Sequence, residues 1–390
     1  MSCVIFGAGK IARGFIGHLL YLSRIPFVFV EKADALADLI NERKQYTVNV
    51  LGNRDKNCTV SNVRALKFSE RASIADAIAQ ADVVFDAVGG KNLREIVPFL
   101  TLGIQEKAKR GGNLNLITCE NWKQPASLLQ SGIEAAIAPE ARTFFQESVG
   151  VTEAVIMRSA IEADAELLKQ DPLVVNVQDF WELPVDASRV VGTLPKILGL
   201  KLIPAFSGFL ERKFYTYNAA NGTTSYLGAM LGYEKIADAA HDPWILKVLD
   251  GVYMETAQAL SKKHQFPLQE QLAFAQSSKR KLQDYAIVDF IERNARDPLR
   301  KLGPDDRLVG SARLVESCGI KPEHLAIAIA AAIYYRNDDD VFAKELYEMR
   351  RSKGVDYVLE QVCQLQPDGA LALIIKEKIE MLKSKGYLHD

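Results

Sequence analysis

The order of residues 1–31 restricts the fold more than any other stretch of the chain. Val4-Ile5-Phe6 is a short apolar run, Gly7-Ala8-Gly9-Lys10-Ile11-Ala12 follows directly, and a helix-like stretch then runs to about Leu22. A second apolar run, Phe27-Val28-Phe29-Val30, ends on Glu31. Gly7 permits a tight turn, Gly9 lets the backbone approach a diphosphate, and Ala12 is small enough for a helix to lie close to a sheet. The amides of Ala8, Lys10 and Ile11 surround the helix start, where N–H groups and the positive end of the helix dipole favour an anion. Glu31 falls about twenty residues on, where a carboxylate accepts hydrogen bonds from a ribose. Strand, glycine turn, helix, strand and acid in this register make a G-x-G-x-x-A dinucleotide-binding unit.

The rest of the first half continues the alternation. Ala33 to Lys44 has helical spacing, Gln45 to Leu51 reads as a strand, and the β-branched runs of Asn57 to Phe68 predict a small inserted hairpin. Asp82 to Val88 is a buried strand ending at Gly89-Gly90. Asn92 to Lys109 is a long helix, and Leu114 to Thr118 is a second buried strand, followed by Cys119-Glu120-Asn121. Strands alternating with helices predict an α/β fold with a doubly wound, Rossmann-type parallel sheet, which takes ligands beyond the carboxyl ends of its strands. The glycine loop, Val88-Gly89 and Glu120-Asn121 all fall at that edge. Val149 to Met157 and Leu173 to Phe180 predict further strands. Pro and Gly punctuation from Pro184 to Pro204 then sets a domain boundary near Val190, giving a dinucleotide-binding domain over 1–190 and a helical substrate domain over 191–390. After Phe206 the pattern is almost wholly helical, with predicted helices over Gly208–Leu231, Pro243–Lys263, Leu268–Asn294, His324–Tyr335 and Val341–Lys353.

The 390-residue chain carries a formal net charge of −1, so it has no electrostatic footprint for nucleic acid or an anionic membrane. No apolar run approaches the roughly eighteen residues of a membrane span. No basic segment precedes the first strand, and the five scattered cysteines include no C-x-x-C. These features lead to the expectation of a cytoplasmic protein with reduced thiols, without a signal peptide or a metal cage. The oligomeric expectation is a monomer or small homo-oligomer. Asp338-Asp339-Asp340 reads as the start of the helix that follows it.

A second informative stretch runs from Glu211 to Gly222. On one ideal helix, Lys213, Asn218 and Asn221 fall within an arc of about 140° at about 100° per residue. Asn is disfavoured inside helices. Two readings fit: a polar pocket holding a lysine base and amide donors, or a solvated helix face. No Tyr is followed by Lys four positions on, and no zinc set is present, so a nucleotide-fold oxidoreductase built from this chain needs another base. Lys213 is the best candidate. Arg300, Lys301 and Arg307 form a basic cluster near Pro298 and Pro304, suited either to phosphate or to ordinary surface ion pairs; Arg212 is a further phosphate candidate.

The chain resembles the polyol-specific long-chain dehydrogenases over about residues 3 to 350. The resemblance is carried by Phe6 through Gly17, by Cys119-Glu120-Asn121, and by Lys213 through Asn218, which matches the family's K-x4-N-x2-H up to its last position. Pro298-Leu299-Arg300-Lys301-Leu302, Asp306-Arg307-Leu308 and the Ala-rich Ile327 to Arg336 continue it. The resemblance implies an NAD-dependent enzyme with substrate in a cleft between its domains. Lys213 is implied as general acid/base, Asn218 as donor to the reacting oxygen, and Asn121 as a residue orienting the substrate. The expected substrate is a phosphorylated sugar or polyol, a hexitol phosphate interconverted with a ketose phosphate, with mannitol 1-phosphate and fructose 6-phosphate the leading pair. Two positions depart from the family pattern. Asn221 stands where the family has His, and Ile156-Met157 stand where it has Asp-Arg, with Arg158 slightly late. These departures keep two alternatives open: a dehydrogenase for a free polyol or a uronate, and a nucleotide-binding sensor without catalysis. Glu31 favours NAD over NADP by repelling a 2′-phosphate, and Lys32 beside it works the other way.

Overall fold

The computed structural model describes residues 1–161 and 163–389. Contacts divide the chain into two compact units, Met1–Phe206 and Ser207–Asp390. The strands of the first unit, in chain order, are β1 (Cys3–Phe6), β2 (Phe27–Glu31), β3 (Gln45–Val50), β4 (Cys58–Ser61), β5 (Ala65–Lys67), β6 (Val83–Asp86), β7 (Leu114–Thr118), β8 (Val149–Glu153), β9 (Ala160–Ile161), β10 (Val175–Val177), β11 (Leu183–Asp186) and β12 (Leu200–Ile203). Six form one sheet in the order β5-β2-β1-β6-β7-β8, with every pairing parallel. Counted by chain position within the sheet this is 3-2-1-4-5-6, the doubly wound order whose winding reverses between β1 and β6. The near-continuous apolar runs of β1, β6 and β7 follow from that placement, because a strand covered on both faces has no solvent side to mark with polar residues. One face packs on a core containing Phe15, Leu19 and Phe29, the other on a core containing Ile78, Phe99 and Leu100.

The hairpin predicted over Asn57–Phe68 is divided between two sheets. β4 pairs back on β3, while β5 leaves to become the edge of the main sheet beside β2. Asn62 lies between them at φ +58°, a left-handed turn that Asn tolerates better than most residues. β3 and β4 join β10 and β9 in a second sheet of order β4-β3-β10-β9. β12 lies beyond the boundary expected near Val190, yet it pairs in parallel with β11 and belongs to the first unit.

The second unit is helical. Phe206–Lys213 runs through a π-helical turn, Phe214–Asn218, into Ala219–Met230. Pro243–His264 begins where the Asp242 carboxylate accepts the N–H groups of Trp244 and Ile245 at 2.8 and 2.9 Å. Asp340 caps Val341–Gln361 in the same way through Phe342, so the acidic run does mark a helix start. The single helix predicted over Leu268–Asn294 is not formed. It ends at Leu282, and a separate short helix covers Ile291–Ala295. Asp284 competes for the backbone by accepting the N–H of Ala286 at 3.0 Å, and Phe290 bridges to Lys235. Among the described helices none is long and apolar enough to cross a membrane.

Glu323–Ile333 is the central helix of this unit, with Ala326, Ala328, Ala330, Ala331 and Ala332 all buried. It packs against Ala219–Met230, Pro243–His264 and Ala370–Ser384. A helix apolar on all sides must be surrounded, and alanines keep its neighbours close. Ala330→Leu should therefore overpack the core by about 1–3 kcal/mol. The check is thermal unfolding, where a lowered Tm is expected and an unchanged Tm would contradict the packing described.

Candidate active site

The winding reversal between β1 and β6 places two loops side by side. Gly7 follows β1 at φ +84°, and a Cβ there would lie 2.8 Å from the Ala87 carbonyl oxygen, so conformation and space both require glycine. Gly9 differs: a Cβ built on it meets nothing within 4 Å. The open space above Gly9 belongs to a cavity of about 300 Å³ lined by Gly7, Gly9, Glu31, Val88 and Asn92 among others. Glu31 is held at its rim, one carboxylate oxygen accepting the Ala8 N–H at 2.7 Å and the other the Ala33 N–H at 2.8 Å. Lys10 and Ile11 begin the helix beside it. Beneath the loop, buried Arg13 donates to the Ala8 carbonyl. Lys32 is paired with Glu95 at 2.6 Å. A dinucleotide fits these residues: the loop has room for a diphosphate at Gly9, and each Glu31 oxygen keeps an accepting lone pair for a ribose hydroxyl.

Across the reversal, Glu120 accepts the Gly89 N–H at 2.7 Å and thereby fixes the Val88-Gly89 turn. Asp86, buried at the end of β6, was not singled out on sequence. Burial pushes its carboxyl well above the usual carboxylate range, helped by the neighbouring Glu120 charge, and it hydrogen-bonds Glu120 as the protonated partner. An acid closing an otherwise apolar strand at the ligand edge was the available signal. Asn121 lies on the exposed loop that follows. Ile156 and Met157 are buried, and Arg158 turns inward to donate to the Gly14 and Gln178 carbonyls at 3.1 and 2.9 Å.

In the helical unit the π turn changes the geometry expected of Lys213 and Asn218. Its closing bond runs from the Ala219 N–H to the Phe214 carbonyl, five residues back. A π turn holds about one residue more than an α-helical turn, so Asn218 lies closer to the face of Lys213 than it would on an ideal helix. Sequence spacing alone carries no sign of this. Lys213 makes no ion pair or hydrogen bond among the described residues. Burial lowers its pKa from 10.5 to about 8, with a further push from Arg307. Lys281, which sequence spacing gave no reason to select, is lowered to about 8 by burial and then by Lys213. Asn221 donates to Asn294 at 3.1 Å.

The basic cluster is close-set, but its members are engaged by other groups of the protein. Arg307 is little exposed, pairs with Asp306 at 2.9 Å and lies over Phe214, next to Lys213 in sequence. Arg300 reaches outward to Asp297 and Asp306. Lys301 is buried and donates to the carbonyls of Asn294 and Arg296. Arg212 donates to Gln271 and the Glu270 carbonyl and lies 4.3 Å over the Phe274 ring. Of the four, Arg307 is the one whose charge acts on Lys213, while the Arg212 side chain turns to Gln271 and Phe274.

Residues 1–199 match the mannitol dehydrogenase Rossmann domain, and residues 206–382 match the mannitol dehydrogenase C-terminal domain. The chain belongs to the mannitol dehydrogenase family. Two solved structures share its fold. A D-sorbitol dehydrogenase in substrate-free form superposes with a TM-score of 0.81 at 14% identity, over 99% of this chain and 94% of that one. The mannitol 2-dehydrogenase of Pseudomonas fluorescens, in a ternary complex with NAD and D-mannitol, superposes with a TM-score of 0.68 at 12% identity, over 99% and 92%. Membership makes this family member a polyol dehydrogenase.

Two outcomes follow from the geometry. Gly9→Val should leave Tm within about 2 °C of wild type, since its side chain meets open space, yet weaken dinucleotide binding more than about tenfold by filling the diphosphate position. Unchanged NADH affinity in a binding titration would contradict that position. Lys213 binds its proton less readily folded than unfolded, so it opposes folding below about pH 8, and this opposition fades as pH rises toward 10.5. Lys213→Met should raise Tm at pH 7, with a smaller gain at pH 10.

Proposed function

We propose that this protein oxidises a secondary hydroxyl of a sugar alcohol reversibly, with NAD as cofactor and Lys213 as general acid/base. The observation that carries the reading is Lys213 itself: an amine poised near pH 8, without a carboxylate partner, with Asn218 turned toward its face by the π turn. Bound nicotinamide supplies the hydride acceptor. The Lys213 amine takes the proton of the reacting hydroxyl, and in the reverse direction its ammonium returns that proton to the forming alkoxide. The Asn218 amide donates to the same oxygen and stabilises its developing charge. Glu31 supports NAD over NADP, since a carboxylate fixed at the ribose position repels a 2′-phosphate, and Lys32 is engaged by Glu95.

A second reading keeps the phosphorylated substrate, as in a mannitol-1-phosphate 5-dehydrogenase. The Arg307 guanidinium beside Lys213 favours it, but Arg307 is paired with Asp306, and Arg212, Arg300 and Lys301 are engaged by other groups. The free polyol is therefore the leading substrate class.

NADH-linked turnover of fructose against fructose 6-phosphate, with mannitol and sorbitol in the oxidative direction, separates the two. Lys213→Met should lower kcat by about 10²–10⁴ with every substrate. Arg307→Ala should raise KM for fructose 6-phosphate about tenfold or more, leaving fructose little changed, only if phosphate is recognised. NADH binding without turnover of any sugar or polyol would overturn both readings. With wild type, oxidation should rise with pH to a plateau above about 8.

A further inference from the structure

Asp289, Asn294 and Asn221 form a chain of hydrogen bonds with only one possible polarity. As a carboxylate Asp289 is an acceptor only, and it pairs with the Arg293 guanidinium at 2.9 Å. Asn294 donates through Nδ2 to Asp289 Oδ1 at 2.6 Å and to the Phe290 carbonyl at 2.9 Å. Both its amide hydrogens thus go to acceptors, and its Oδ1 must face Asn221. Asn221 in turn presents Nδ2 to that oxygen at 3.1 Å. Turning Asn294 over would set its carbonyl against a carboxylate and a main-chain carbonyl. Amide orientations are ordinarily assigned from such networks, and here the acceptor-only end decides every member.

We infer that this chain makes Asn221 a specificity determinant, its Oδ1 held toward substrate as an acceptor that selects a hydroxyl against a carboxylate. The inference rests on the reading that the Lys213 face receives substrate. Locked in this way, Asn221 offers its Oδ1 and its second amide hydrogen. A hydroxyl donates and accepts at one atom and satisfies both. A carboxylate only accepts, and leaves Oδ1 facing negative charge. The substrate class is then a neutral polyol or ketose, and uronates and aldonates are rejected. A histidine at this position would change its donors as it titrates; Asn221 does not, so the selection holds across neutral pH.

Asn221→Asp, Asp289→Asn and the double variant test the chain without depending on activity. In Asn221→Asp a carboxylate faces the Asn294 carbonyl, and Asp289 blocks Asn294 from turning. In the double variant the new amide at position 289 can donate to Asn294, which can then turn over and donate to the new carboxylate at position 221, giving up its bond to the Phe290 carbonyl. Thermal unfolding should show a loss of about 4 °C or more for Asn221→Asp and a smaller loss in the double variant than in Asn221→Asp alone. Losses that simply add would overturn the polarity. In turnover, wild type should favour a polyol over the matching uronate or aldonate by about 100-fold or more in kcat/KM, and Asp289→Asn should reduce that ratio about tenfold. A wild type preferring the acid, or a ratio unmoved in Asp289→Asn, would overturn the selection. Wild type turning over no polyol at all would instead overturn the functional reading, with the unfolding cycle still deciding the polarity.

Discussion

An ammonium taken out of water without a counter-charge is unstable, and the site in the helical unit depends on keeping one there. Lys213 lies at the end of Phe206–Lys213, largely buried and approached by Arg307 rather than by a carboxylate. Burial and like charge act in the same direction, toward the neutral amine. The core around the Ala-rich Glu323–Ile333 supplies the stability that this site draws on, since it packs the helix that continues from Asn218. The π turn adds the positional part by turning Asn218 toward the helix face that carries Lys213. A base is useful only if the oxygen it deprotonates is held, and the two come from one local irregularity of one helix.

The nucleotide unit solves a different problem, which is to hold loops without enclosing them. At its ligand edge carboxylates bind main-chain N–H groups: Glu31 those of Ala8 and Ala33, and Glu120 that of Gly89. Each bond fixes a loop that leaves a strand on one side of the winding reversal. The proton on Asp86 lets two acids approach at the end of β6 without repelling each other. The open space at Gly9 is then a consequence of fixed walls rather than of loose packing.

Much of this was legible in the residues. The glycine loop, the apolar strands and Glu31 obey short-range rules, and the doubly wound sheet follows from them. The alternation of strand and helix could not say where β4 and β5 would go, because the left-handed Asn62 sends two adjacent β-branched runs to different sheets. Helical periodicity across Leu268–Asn294 concealed a break made by one side chain, Asp284. That break forms the segment carrying Asp289 and Asn294, so the partners of Asn221 were invisible to spacing. The clustering of Arg300, Lys301 and Arg307 in sequence suggested one phosphate site, but Asp306 pairs with both arginines and Lys301 is spent on main-chain carbonyls. A π turn has no compositional mark at all, and the closeness of Lys213 to Asn218 had to come from the backbone.

The most direct measurement is the titration of Lys213 itself, followed by NMR of ¹³C-dimethylated lysines and assigned by comparison with Lys213→Met. The account expects the resonance that disappears in Lys213→Met to have a midpoint near 8, in a small low-titrating group with the buried Lys281 and Lys301. A Lys213 that titrates near 10.5, as a solvated lysine does, would contradict it.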